Sequence, residues 1–446
     1  MNVVAAVDCG ATSVRVCRID LDAVPLVPEV VHRVPHAPVP DSAGHLRWDW
    51  RRICAAVVDG LERCLERGPL ASIGVDTWAV DYGLLDEDGR LVGAPYSYRD
   101  QRTNGYRSIV DQVGAMTMFR DNGLQIQPFN TVFQLARHDR AELRRAARLL
   151  WLPELIVHHL TGVAVTERTS AGSSGLVEVS SGDWSSRMLD VASIDRSMVG
   201  DIESAGRIVG AWRGVPVTLV GGHDTASAVI GMGTSTGSST AFVSSGTWML
   251  VGVERSAPDV SSWALTHGFT NESGALGGFR FLRNVTGFWL LEQCRRSWGD
   301  VPMSRLIDDA VAVETAPLVD VDHESLRSPS DMLTAYTRLA GLPRDAPAGR
   351  VTRSIVDSIA AATADVIGRL RSRSPIDDIV LFGGAARNPL FVARLERRIG
   401  AAVRIGPAEA AALGNAIVQG IALGRFSSVA DGRRRVGRPP RGDVHP

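Results

Sequence analysis

Lysine is absent from this sequence: all 48 of its basic residues are arginines. Arginine keeps its proton at any working pH, so no neutral amine exists to form a Schiff base. The same absence removes the GxxxxGK[ST] phosphate loop, whose lysine reaches the terminal phosphates. Nucleotide chemistry here must rely on backbone amides, hydroxyls and guanidinium groups. Cysteine is scarce and unpatterned. The five (Cys9, Cys17, Cys54, Cys64, Cys294) are odd in number and form no CxxC, which argues against a disulfide framework or zinc site and suits a reducing compartment. No run approaches the ~20 apolar residues of a spanning helix. MNVVAAVDCG lacks the basic start and long apolar core of a signal peptide. A net charge of -1 provides no field to attract nucleic acid or an anionic membrane. The expectation is a cytoplasmic monomer or homodimer with no nucleic-acid or membrane partner.

What is present points to an α/β fold. A chain of 446 residues exceeds one ordinary core, so two domains are expected. Short apolar runs ending in Gly or Asp recur: VVAAVD at 3–8, SIGVD at 72–76, VTLVGG at 217–222, AFVSSG at 241–246 and DIVLFGG at 378–384. Helical patterns lie between several of them, with Ile53, Ala56, Val57, Leu61 and Leu65 on one face of the first and Ile355, Ile359, Val366, Ile367 and Leu370 on one face of another. Strands alternating with amphipathic helices give α/β architecture. GTSTGSST at 233–240 reads as the junction, dividing the chain into domains 1–236 and 237–425. The Arg/Pro/Gly-rich end, 426–446, reads as a disordered tail. VVAAVDCGATSVRVCRID and STAFVSSGTWMLVGVE share one plan of strand, glycine-containing turn and strand, which suggests an internal duplication.

Three turns have the chemistry to hold phosphates. In DCGATSVRV, Gly10 and the small residues around it let successive N–H groups point at an anion, and Thr12 and Ser13 add hydroxyls. Asp8 could hold water on Mg²⁺, and Arg15 could add charge. An ordinary hairpin turn explains the same residues. SSGTW offers Ser244, Ser245 and Thr247 around Gly246, and FGGAARN places glycines after a buried strand, where adenine or ribose can approach the backbone.

Other residues suit a polyol. In IGVDTWAVDYG, Asp76 and Asp81 can accept hydrogen bonds from hydroxyls, and Trp78 offers a flat apolar face. Core packing is the other reading for Trp78. YRDQRT at 98–103 reads as a solvated loop. GGHDTASAVIG at 221–231 places His223, Asp224 and Thr225 between a strand end and a helix start, where α/β folds place ligands. Asp224 is then either a helix cap worth roughly 1 kcal/mol or a base for a substrate hydroxyl.

The set resembles the FGGY carbohydrate kinases up to about residue 425. The resemblance rests on AVDCGATSVRV, SIGVDTWAVDYGLLDEDGRLVGAPYSYRDQRT, GGHDTASAVIG, FVSSGTWMLVGVE, NVTGFWLLEQC, FGGAARNPL and PAEAAALGNAIVQG. It implies an actin-like (sugar kinase/heat-shock ATPase) fold, two domains of mixed sheets flanked by helices around a central cleft. It also implies MgATP-dependent phosphorylation of a ketose, L-rhamnulose at its 1-hydroxyl; another ketose kinase or a non-catalytic actin-like sensor is the alternative. Carried over by motif, Asp224 is the proton acceptor, and Ala79, His223, Asp224, Thr225 and Asn284 contact the sugar beside Trp78 and Asp81. Ala11, Thr12, Ser13, Val14, Arg15, Thr247, Glu292, Gly383, Gly384 and Ala385 serve the nucleotide, and Asp8 the metal. Ala79 stands where the family usually has Gly, Ala385 replaces a third Gly, and Glu292 replaces Gln, where an unpaired carboxylate would repel phosphate.

Overall fold

Strand β1 (Val3–Gly10) is apolar at nearly every position, so both of its faces need cover, and it runs through the middle of a sheet with six consecutive buried residues. The computed structural model describes residues 2–233, 239–246, 248–327 and 329–437. The chain divides into two compact units. The first comprises 1–235, 255–281 and 409–437; the second comprises 236–254, 282–408 and 438–446.

In the first unit β1 forms an antiparallel hairpin with β2 (Ser13–Asp20), and β3 (Glu29–Pro35) continues beyond β2. Helix α1 (Trp50–Glu66) then crosses back, burying Ile53, Ala56, Val57 and Leu61 on its expected face. That crossover allows β4 (Ser72–Thr77) to lie parallel to β1 on its other side, with Asp8 opposite Asp76. Helices α2 (Leu152–Thr161) and α3 (Arg168–Gly172) precede β5 (Ile208–Trp212) and β6 (Val215–Thr218), which complete the order β5-β6-β4-β1-β2-β3. Helix α4 (Asp224–Ile230) follows.

In the second unit β7 (Thr240–Ser245) and β8 (Trp248–Arg255) form the corresponding antiparallel hairpin; beyond β8 lies β9 (Phe279–Thr286), whose first three residues belong to the first unit. After α5 (Trp289–Ser297) and α6 (Ala348–Arg371), β10 (Asp378–Gly383) pairs parallel to β7. Helix α7 (Pro389–Ile399) leads to β11 (Arg404–Ile405), again parallel. Ile355, Ile359, Val366, Ile367 and Leu370 of α6 are all buried. Each unit therefore sets a parallel strand beside the first strand of a central hairpin, the plan expected of a duplication.

The chain then returns to the first unit through α8 (Ala410–Ala422) and α9 (Val429–Arg435). Helix α9 corrects the expectation of disorder from 426 onward. Phe426 and Arg433 are buried, and the Arg433 guanidinium donates to the carbonyls of Val229 (2.7 Å) and Ile230 (3.1 Å) at the end of α4. Its arginines thus tie down a helix end, a contact that composition does not reveal. Residues 438–446 and most of the 233–240 junction lie outside the described residues. Among the described residues no helix is long and apolar enough to cross a membrane.

Candidate active site

Three neighbouring strand ends of the first unit converge on one point. Asp8 and Asp76 sit opposite each other on β1 and β4. One residue on, the Thr77 amide donates to the Gly222 carbonyl at 2.8 Å, which holds the segment after β6 alongside. Helix α4 then starts at Asp224. His223, in extended conformation, takes the cap position and makes no side-chain cap bond, so the capping alternative for Asp224 does not hold. The Asp224 carboxylate is 29% exposed. Its Oδ1 accepts from the Thr225 hydroxyl at 3.2 Å and lies 3.5 Å from His223 Nε2.

The neighbourhood is unusually acidic. Burial pushes the Asp8 carboxyl up to about 6 against the pull of Arg15, and the charges of Asp224 and Glu409 add to the rise. Asp76 is raised well above the usual range, first by complete burial and then by Asp8. One oxygen of Asp76 accepts from Asn415 Nδ2 at 2.6 Å; the other is buried with no hydrogen-bond partner among the described residues. Asn415 is braced in turn by Gln419, which also reaches the Ala5 carbonyl. Helix α8 comes this close because it crosses glycines: a methyl on Gly74 would lie 2.3 Å from Asn415, and one on Gly231 2.0 Å from the Ala410 carbonyl.

The loop before Asp224 is gripped from behind. Glu167, fully buried, accepts from the Gly222 amide at 3.0 Å and from the hydroxyl and amide of Thr169. The Thr169 hydroxyl oxygen accepts from the His223 amide at 3.0 Å. Consecutive amides ahead of Asp224 are thus fixed by one pair of side chains. Glu167, Thr169, Asn415, Glu272 and Arg280 surround the site, and none was singled out as a functional residue from sequence. The first two stand together in TERTS, but no local pattern announces partners 55 residues away.

Several sequence expectations need correction. Asp81 is fully buried and receives four donors: Trp48 Nε1 (2.7 Å), Trp78 Nε1 (2.9 Å), the Tyr98 amide (3.1 Å) and Gln134 Nε2 (3.2 Å). It is a hub for indoles, with no vacancy for a sugar hydroxyl. The Trp78 ring packs 4.4 Å from Trp48 and 5.5 Å from His36, with only 6% exposed, which is the core reading. YRDQRT is no solvated loop. Asp100 and Arg102 are buried, and Arg102 donates to Gln134 at 2.6 Å, bracing the same hub. Ala79 is half-buried and precedes Val80, whose φ of 70° is strained for a β-branched residue. Thr131 and Gln134 hold the Val80 carbonyl in that turn.

At the β1–β2 turn Thr12 is exposed and Ala11 half-buried, while Ser13 and Val14 are buried. Arg15 does not point free charge at a phosphate: it bridges Asp8 (3.0 Å) and Glu409 (2.8 Å). In the second unit the buried Ser245 hydroxyl donates to the Phe382 carbonyl at 2.6 Å and accepts from the Ala385 amide at 3.0 Å. It is spent joining the two candidate nucleotide loops, not on a phosphate. Gly383 has φ 87°, and a methyl there would lie 2.1 Å from the Ser245 carbonyl, so glycine is required. Gly384 and Ala385 open the short 3-10 turn that follows. Glu292 on α5 is paired with Arg295 through two bonds of 2.8 and 2.9 Å, which answers its charge. Asn284 is half-buried on β9, and Thr247 lies outside the described residues.

Residues 3–234 match the N-terminal domain of the FGGY family of carbohydrate kinases, and residues 241–423 match its C-terminal domain. The chain belongs to the FGGY family of carbohydrate kinases. Among curated FGGY relatives, a rhamnulokinase of Bacteroides thetaiotaomicron is 34% identical, the match covering 99% of this chain and 95% of that one. A rhamnulokinase of Pectobacterium carotovorum is 35% identical over 96% of this chain and 89% of the relative. Solved structures share the fold at low identity. A ligand-bound xylulose kinase from Lactobacillus acidophilus matches with TM-score 0.80 at 16% identity over 97% of this chain and 91% of that one. A Plasmodium falciparum glycerol kinase with ADP gives 0.77 at 15% identity over 98% and 93%. The FGGY chain is thus a sugar kinase with the actin-like ATPase fold.

Proposed function

We propose that this kinase transfers the γ-phosphoryl group of ATP to the 1-hydroxyl of L-rhamnulose, with Asp224 as the proton acceptor. The observation that carries the reading is the Asp224 carboxylate, partly exposed at the strand ends and close enough to Asp8 and Asp76 to raise both. The Thr225 hydroxyl donates to Oδ1 and His223 Nε2 lies 3.5 Å from the same oxygen, which leaves Oδ2 to accept the hydroxyl proton. The hydroxyl oxygen bonds to the γ-phosphorus as the bond to the β–γ bridging oxygen breaks, and ADP leaves with the electron pair. His223 and Thr225 flank the base and are assigned to the sugar, together with the backbone at Ala79 and with Asn284. The amides of the turn at Ala11, Thr12 and Ser13 are assigned to the phosphates, and Gly383, Gly384 and Ala385 to adenosine.

The donor set fits a hydrated Mg²⁺. Asp76 carries a buried oxygen without a partner among the described residues, and the mutual repulsion around Asp8 is the kind a divalent cation relieves. Mg²⁺ commonly binds through one or two carboxylates and retains several waters. When bound, Mg²⁺ would neutralise charge on the phosphate oxygens. Asp8 would hold it through water; Asp76 would supply the second carboxylate.

The reading for L-rhamnulose rests on curated relatives of that name at 34–35% identity over nearly the whole chain. The test is ADP release from MgATP with a panel of L-rhamnulose, L-fuculose, L-ribulose and L-xylulose. L-Rhamnulose should give the highest kcat/KM. A higher value for another ketose would reassign the substrate, and no sugar-dependent release would reject the function.

A further inference from the structure

His223 stands between the base and a buried ion pair that the mechanism has not used. Arg280, 2% exposed, lies on β9, and Glu272, 6% exposed, lies on the strand Thr270–Ser273. Their ion pair measures 3.1 Å. Arg280 Nη2 also lies 3.1 Å from His223 Nδ1 with hydrogen-bond geometry, and its Nε and Nη2 donate to the Ser273 carbonyl at 3.3 Å. Glu272 Oε2 approaches the same ring nitrogen to 3.3 Å and is the acceptor that a proton on Nδ1 would take.

A guanidinium has donors only, so a ring nitrogen that receives its N–H must present a lone pair. We infer that Arg280, held by Glu272, fixes His223 as the tautomer protonated at Nε2 and is a positioning residue for the base. The Nε2 proton then faces Asp224 Oδ1 at 3.5 Å, on the side where the Thr225 hydroxyl also donates. The Thr225 hydroxyl bond and the facing imidazole both bear on Oδ1 and leave Oδ2 as the basic oxygen. Glu272 balances the buried guanidinium and keeps Arg280 aimed. Outer partners of this kind set tautomer and ring orientation, and losing one typically costs about 10–100-fold in metal sites. The inference rests on Asp224 acting as the base.

The experiment uses full-length enzyme labelled with ¹⁵N-histidine, with the His223 signals assigned by their loss in His223→Gln. Two-bond nitrogen–proton correlations distinguish the two neutral tautomers. Wild type should show Nε2–H at His223, and Arg280→Lys should shift it toward Nδ1–H donating to Glu272. With the favoured ketose, Arg280→Lys should lower kcat by about 10–100-fold while leaving the KM for ATP unchanged. A proton on Nδ1 in wild type overturns the inference, as does an Arg280→Lys enzyme that keeps wild-type kcat. If that variant does not fold, the wild-type spectrum decides alone. If wild type shows no sugar-dependent turnover, the proposed function fails while the spectrum still judges the tautomer.

Discussion

The β1–β2 and β7–β8 turns are built to one plan with different chemistry. In the first unit Asp8 faces Asp76 across the parallel ladder, whereas at the corresponding point of the second unit Ser244 faces Phe382. One step on, Cys9 faces Thr77 and Ser245 faces Gly383. The first unit concentrates buried carboxylates at its strand ends. The second uses a neutral hydroxyl to pin two glycine-bearing loops together. A shared backbone therefore leaves the choice of chemistry to very few side chains. Acids suit proton transfer and a cation, while neutral amides and hydroxyls suit an anionic nucleotide.

Between the two turns, the larger effect should come from making the first resemble the second. Asp8→Ser removes one of the paired strand-end acids and leaves Arg15 to Glu409 alone. Sugar-dependent kcat/KM should fall about 10²–10³-fold, the scale of losing one preorganised electrostatic group, with the Mg²⁺ requirement shifted to higher concentration. Titrating activity against Mg²⁺ checks both; an unchanged requirement would sever Asp8 from the metal. Gly383→Ala attacks the second turn. Its methyl meets the Ser245 carbonyl, and the left-handed backbone adds roughly 1–3 kcal/mol of strain. The KM for ATP should rise about tenfold while the KM for sugar holds, as steady-state kinetics in each substrate would reveal.

A smaller effect concerns pH. Burial, reinforced by Glu167, pushes Glu154 up to about 8, and burial raises Glu167 to about 7. Both carboxyls hold protons in the folded state that the unfolded chain releases at lower pH. Stability from this pair is therefore complete only below the ordinary glutamate range and is lost progressively as pH rises from there through 7 and 8. Thermal unfolding should show Tm falling by a few degrees between pH 6 and 8.5, with a shallower slope in Glu154→Gln. An equal slope in both would remove Glu154 as the cause.

Much of this was legible in the sequence because it is local. Short apolar runs ending in Gly or Asp placed the strands, helix periodicity named the buried faces of α1 and α6, and GGHDT marked a strand end and helix start. What was hidden is non-local. Asp81 looks like a ligand for hydroxyls until Trp48 and Gln134, 33 and 53 residues away, join its neighbour Trp78 to fill it. Arg15 looks free until Glu409, 394 residues away, takes half of it. Glu167, Glu272 and Arg280 act through partners 55, 49 and 57 residues off, where no spacing rule reaches. The tail misled because a composition of Arg, Gly and Pro describes surface as readily as disorder, and buried Arg433 found carbonyls to cap.

The central claim is that the side chain at 224 takes the proton from the sugar. Its most direct test compares sugar-dependent ADP release by wild type and Asp224→Asn, which keeps shape and loses basicity. A loss of about 10²–10⁴-fold in kcat with a nearly unchanged KM for ATP is the predicted result. Equal rates in the two proteins would contradict it.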